Sequence, residues 1–279
     1  MAEFTRELFV QSLVEWERYP ATFRALPSTE QTEFLKEQGY DSLQDLLAHV
    51  AVWWEEGRAV IREALAHGEG GGRKYDFAKF NAAAMARFQG TPEDEFMSWY
   101  EAERGRISAL LNGLSDSEFA VRRVQNWLNG VLLEHLKEHT IDAPRFLVID
   151  ILHREWGDYV KDYHQLAADQ QAEFLKRQGY VRFQALLGHV IAWWEQGIGV
   201  IEAFPSEEAA DVEDVDAFNA QAVQRFGDLG EAEVVAQYDD TRLTLANLVD
   251  MLPDEVLGSG RVQEWLRADA IRHYFEHRL

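Results

Sequence analysis

The stretch EFLKEQGYDSLQDLLAHVAVWWEEG, residues 33–57, returns as EFLKRQGYVRFQALLGHVIAWWEQG at residues 173–197. Outward from it the correspondence holds in both directions. Upstream, Glu15-Trp16 matches Glu155-Trp156 at the same offset of 140. Beyond a variable segment near 66–75 the offset becomes 138, and DFAKFNAAAMARF (76–88) pairs with DVDAFNAQAVQRF (214–226). RVQNWL (123–128) then pairs with RVQEWL (261–266), and HLKEH (135–139) with HYFEH (273–277). A self-similarity of this length is a duplicated domain, and it is sought before any single element is assigned. The copies run over residues 1–141 and 142–279. The junction TIDAPRF is short, and Pro144 suits the first turn of the following helix. A tight junction predicts bundles packed on each other as an intramolecular pseudo-dimer.

Within each copy the apolar residues recur at helical spacing. In the first, helices are expected at about 5–25, 29–38, 42–66, 76–88, 92–113 and 121–140. Thr91-Pro92-Glu93 and Ser115-Asp116-Ser117-Glu118 are helix starts by composition. HGEGGGRK (67–74) and FPSEEAADVED (204–214) read as loops. GEGGG lacks the Gly-Lys-Ser/Thr ending of a phosphate loop. No period-two alternation bounded by turns is present, so the fold class is all-α, with each copy a four-helix bundle carrying one or two extra short helices.

The chain has 279 residues, 47% hydrophobic, with a net charge of -22. Such a surface repels phosphate backbones and anionic lipid, which argues against nucleic acid and membrane as partners. With no cysteine, disulfides, thiolate metal sites and cysteine nucleophiles are excluded. The start MAEFTRELFVQSL lacks signal-peptide character and no apolar run reaches membrane-spanning length, so the expected location is cytoplasmic.

Six of the nine histidines form two matching sets: His49, His135 and His139, and His189, His273 and His277. In each set an HxxxH pair places two rings on one helix face. The third histidine lies on the long second helix, able to face the pair across the bundle. Two solvated histidines on a helix surface is the plain alternative. Retention argues against it, because all six persist while Leu136-Lys137-Glu138 became Tyr274-Phe275-Glu276. Three neutral imidazoles with open positions suit Zn²⁺, Ni²⁺ or another first-row divalent ion. His67, His153 and His164 have no histidine counterparts and are expected on the surface.

The literal reading H-x-x-E-H suggests an inverted zinc peptidase. That chemistry needs a further ligand downstream, and only Arg278 and Leu279 follow the second pair. Glu138 and Glu276 either orient an imidazole or face solvent.

Trp53 and Trp193 stand four residues after the helix histidines, and Trp127 and Trp265 stand two turns before the HxxxH pairs. Each is either a pocket wall or a core aromatic. Asn81 and Asn219 interrupt apolar faces, so each needs partners: a helix end, a substrate or a metal-bound water. Arg87 and Arg225 are candidates for a substrate carboxylate or for structural ion pairs.

HVAVWWEEG, DFAKFNAAAMARF and NWLNGVLLEHLKEH, with their second-copy partners, resemble the DinB superfamily, especially its ClbS/DfsB-type and mycothiol-isomerase-like branch. The resemblance covers nearly the whole chain, twice, whereas a single domain is usual in that family. It implies that the six histidines are metal ligands, and that a low-molecular-weight thiol is transferred, or water activated for hydrolysis, on a small-molecule substrate. The thiol must come from outside this cysteine-free chain. The alternative within the same resemblance is a metal-independent binding or self-protection protein using its aromatic pocket. A third possibility is one working copy beside one that only stabilises the pair. Bundles of this type pair as dimers, so either an internal pair or a homodimer is expected.

Overall fold

A computed structural model describes residues 4–68, 73–205 and 212–279. The tips of both expected loops, 69–72 and 206–211, lie outside the described residues, as do residues 1–3 of the start. Among the described residues every regular element is helical, and none is long and apolar enough to cross a membrane. The chain divides into two compact units, Glu3–Ile141 and Asp142–Leu279.

In the first unit α1 spans Arg6–Ala25, α2 Ser28–Gln38, α3 Leu43–His67, α4 Phe77–Arg87, α5 Glu93–Gly113 and α6 Asp116–Phe119. The last helix, α7, is composite. Arg122–Leu128 and His135–His139 are α-helical, and the Asn129–Glu134 segment between them is π-helical. The second unit repeats the order, so each element is matched by the one seven places on. Its first helix, α8, is Arg145–Asp150, a π-helical Ile151–Glu155, and Trp156–Gln165. Then come α9 Ala168–Gln178, α10 Phe183–Ala203, α11 Val215–Gly227, α12 Glu231–Met251 and α13 Asp254–Leu257. Finally α14 joins Gly260–Trp265, a π-helical Leu266–Arg272, and His273–His277.

In each unit four long helices close a ring: α1 on α5, α5 on α3, α3 on α7 and α7 back on α1. The second unit does the same with α8, α12, α10 and α14. Three further short helices accompany each ring rather than one or two. The third is the single turn α6, nucleated by a capping box between Ser115 and Glu118, and its partner α13. Pro144 precedes the first turn of α8, with extended backbone, instead of lying inside it.

Three bonds repeated in both copies tie the first, second and last long helices together. The indole Nε1 of Trp16 donates to the Leu132 carbonyl at 3.2 Å, and Trp156 to Ala270 at 3.1 Å. Trp54 donates to Val131 at 2.9 Å and Trp194 to Asp269 at 3.3 Å. Tyr19 and Tyr159 donate their hydroxyls to the His139 and His277 carbonyls, each at 2.7 Å. All four indole acceptors lie in the π-helical segments, where the α-helical ladder is interrupted and carbonyls need other donors. Replacing Trp194 with Phe should therefore cost about 1–3 kcal/mol, the penalty of an unpaired buried carbonyl. Chemical denaturation checks this, and a loss no larger than that of a Trp99→Phe control, at a half-buried indole packed on Phe88, counts against the brace.

Candidate metal centre

The histidines of each set come from two helices. His49 and His189 sit on the buried faces of α3 and α10, and the HxxxH pairs form the final turns of α7 and α14, just after the π segments. Burial does the electrostatic work. Desolvation pushes His49 down to about 3, with His135 adding to the effect and a hydrogen bond to the Asn81 side chain opposing it. His189 and His277 are pushed down to about 4, again chiefly by burial. His135, His139 and His273 move in the same direction for the same leading reason. All six rings are neutral at pH 7, the state in which imidazole ligates a metal.

The tautomers follow from the partners. His135 Nδ1 lies 2.8 Å from the Gly130 carbonyl, which only accepts, so Nδ1 carries the proton and Nε2 keeps its lone pair. His139 Nδ1 donates to Gln38 Oε1 at 2.6 Å, and His277 Nδ1 to Gln178 Oε1 at 2.8 Å. His139 Nε2 is buried with no partner, as are Nδ1 of His49 and His189. With Nδ1 of His135, His139 and His277 held from behind by a carbonyl or an amide, the Nε2 of each of these rings is left to ligate, which fits a nitrogen-ligated divalent ion.

The two sets are not equally drawn together. Among the described residues, His189, His273 and His277 form the group whose ligand atoms all lie within 4.8 Å of one another. His189 Nε2 and His273 Nε2 are 2.9 Å apart, so without an ion one of them holds a proton between them. Two ligands of a tetrahedral ion with metal–nitrogen bonds of about 2.0–2.1 Å stand roughly 3.3 Å apart, so the rings need only a small relaxation. Ring centres across the HxxxH pair are 4.6 Å apart in the second copy and 6.1 Å in the first. His49 is 4.9 Å from His135 and 5.6 Å from His139, against 4.9 and 5.2 Å in the second copy.

The surroundings also differ. In the first copy Trp53 packs on Phe80 at 4.2 Å, Tyr75 at 5.3 Å and Phe77 at 5.8 Å, with Trp127 at 6.4 Å and His135 at 6.3 Å. In the second copy Glu213 and Val215 replace Tyr75 and Phe77, leaving Trp193 against Phe218 at 4.7 Å. Trp265 is buried and lies over Gly197, with its Nε1 unpartnered. Trp53 is buried, while Trp127 and Trp193 are half-buried.

Asn81 and Asn219 serve no helix end. Each accepts an indole hydrogen bond at 2.9 Å, from Trp53 and Trp193 respectively, and so ties that tryptophan to the neighbouring histidine. Arg87 and Arg225 are ion-paired with Glu55 and Glu195. His67, His153 and His164 are exposed, as are Glu138 and Glu276.

Gln38 and Gln178 are site residues that pattern reading passed over. Their signal was present, since each lies in the most faithfully repeated stretch of the chain. The π segments carried no such signal, because one widened turn leaves the apolar spacing on either side intact.

Comparison with family models, curated proteins and solved structures finds no match.

Proposed function

We propose that the chain is a divalent-metal-dependent enzyme of the DinB type, acting in the cytoplasm on a small molecule. The observation that carries this is the convergence of His189, His273 and His277, three buried neutral imidazoles from two helices. An ion held there, Zn²⁺ or Ni²⁺ by donor chemistry, supplies a Lewis acid that makes water or a low-molecular-weight thiol nucleophilic near neutral pH. The protein's own part is orientation and exclusion of water. Gln178 fixes the His277 tautomer, the π segment of α14 and its two indole donors position His273, and Asn219 holds Trp193 against His189. The first copy offers the same donors in a wider arrangement, so it is the weaker site of the two.

Elemental analysis of protein purified without a histidine tag or added metal is the test. One or two first-row ions per chain are expected. Because His273 is itself a ligand, His273→Ala should weaken binding at the second site by about a hundredfold or more, beyond the 10–100-fold typical of groups behind ligands. His135→Ala should leave the tighter site intact. No metal in the parent, and no thermal stabilisation by added Zn²⁺ or Ni²⁺, would overturn the reading.

A second reading draws on the first copy. Trp53, Tyr75, Phe77, Phe80 and Trp127 form one aromatic cluster at its histidines, and Phe77 is 64% exposed. A protein that binds a flat apolar molecule for self-protection needs such a surface and no ion. Ligand-induced quenching of tryptophan fluorescence in metal-free protein distinguishes it.

A further inference from the structure

Gln38-Gly39-Tyr40 and Gln178-Gly179-Tyr180 each bring two side chains to a histidine set. Gly39 and Gly179 close their helices at φ 77° and 79°, a conformation that favours glycine. The backbone then bonds back from Tyr40 to Leu35 and from Tyr180 to Leu175, each at 2.9 Å. The chain so reversed lays each tyrosine across two imidazoles. Tyr40 is 5.7 Å from His49 and 5.8 Å from His139, centre to centre, and Tyr180 is 5.9 Å from His189 and 6.5 Å from His277. The glutamine amide orients one of those imidazoles from behind.

An unbonded hydroxyl on a ring beside the histidines sets this pair apart. Of the nine tyrosines, Tyr19, Tyr75, Tyr100, Tyr159, Tyr238 and Tyr274 donate their hydroxyl to a carbonyl or carboxylate. The Tyr163 hydroxyl is also unbonded, but its ring packs on Phe183, Phe174 and His164 and meets neither histidine set. Among the described residues neither the Tyr40 nor the Tyr180 hydroxyl has a partner, although both residues are half-buried. A polar group kept in both copies, at the site and unbonded, is available to a ligand. A phenol is a neutral donor that stays protonated at neutral pH.

We propose that Tyr40 and Tyr180 are ligand-binding residues, each donating a hydrogen bond to a molecule that binds its histidine centre through one anionic atom. This rests on the metal-centre reading and adds the ligand class: a small anion, or a compound presenting a single anionic oxygen, nitrogen or sulfur. No lysine or arginine is needed for this, which suits a site in so acidic a chain. Carboxylate clamping by Arg87 and Arg225 has no place in it, since both already hold glutamates.

The test uses the full chain loaded with Co²⁺, whose visible spectrum reports coordination, and azide as the anionic probe. In the double variant Tyr40→Phe, Tyr180→Phe, cobalt stoichiometry and thermal midpoint should match the parent, because neither hydroxyl bonds the protein. Azide should bind about tenfold or more weakly, the worth of a hydrogen bond to a charged acceptor. Unchanged azide affinity in the double variant overturns the proposal while leaving the metal centre standing. So does a parent that binds cobalt but not azide, or a variant that loses cobalt and so shows the rings to be structural. If the parent binds no cobalt, the metal-centre reading fails and this proposal falls with it.

Discussion

Metal-free protein acidified from pH 7 to pH 5 should lose most of its stability. His49, His189 and His277 are held down to about 3, 4 and 4 in the folded chain. Unfolding returns them to about 6.5. The unfolded chain therefore binds more protons between these values, and stability rises with pH in that window. It is fully present above about 6.5 and declines as pH falls toward the folded values. Each histidine contributes about 1.4 kcal/mol per pH unit, so these three lose roughly 4 kcal/mol per unit, against a total of about 5–15 kcal/mol for ordinary domains. His135, His139 and His273 act in the same direction. Asp269 opposes them: burial, with Glu276 adding, holds its carboxyl up to about 7, so it favours the folded state as pH falls. Desolvation also holds the Asp142 and Glu276 carboxyls up, and these three acids offset only part of the effect of six histidines. Thermal midpoints across pH 7 to 5 should fall steeply without metal and less steeply with Zn²⁺ bound, since the ion competes with the protons. A flat profile in metal-free protein would show that the rings are hydrated rather than buried.

Gly197→Ala should be the most damaging glycine-to-alanine change among the described residues. Alanine is the better helix former, so the change would be mildly stabilising in open space. Here the added carbon would fall 1.6 Å from Cζ2 of Trp265, with two more ring atoms within 2.0 Å. The ring is buried and cannot swing aside without opening the core. Overpacking of this kind costs about 3 kcal/mol, which corresponds to a fall of roughly 10 °C in thermal midpoint for a unit of this size. The next residue, Leu266, begins the π segment that carries His273, so the second metal site should weaken together with stability. Gly57 is the internal control. A Cβ there would meet Val131 at 3.2 Å and Trp127 at 3.7 Å, a contact relieved by a few tenths of an ångström. Gly57→Ala should stay within a few degrees of the parent, and equal effects at the two glycines would sink the argument.

Much of this architecture was readable from the chain alone. Helical spacing of the apolar residues exposed the all-α class and the helix boundaries to within a residue or two, and the duplication exposed the six histidines as a repeated set. What single-sequence reading lacked was anything carried over long separations. The bond from Trp16 to Leu132 spans 116 residues, and nothing local to either end announces it. The first HxxxH helix reads as one run over 121–140, whereas it and its partner each contain a π segment between the tryptophan and the histidines. Gln38 and Gln178 were hidden by success: they sit inside the repeat that revealed the fold, where every residue looked equally retained. The tighter convergence of the second set had no sequence signature, because its ligands and spacings are those of the first.

Asn129–Glu134 and Leu266–Arg272 occupy matching places, directly before the two HxxxH pairs, so both copies share the widened turn. The segment at Ile151–Glu155 has no counterpart in α1, which runs unbroken from Arg6 to Ala25. The copies therefore agree in the helix that carries the histidine pair and differ in the helix that opens each unit.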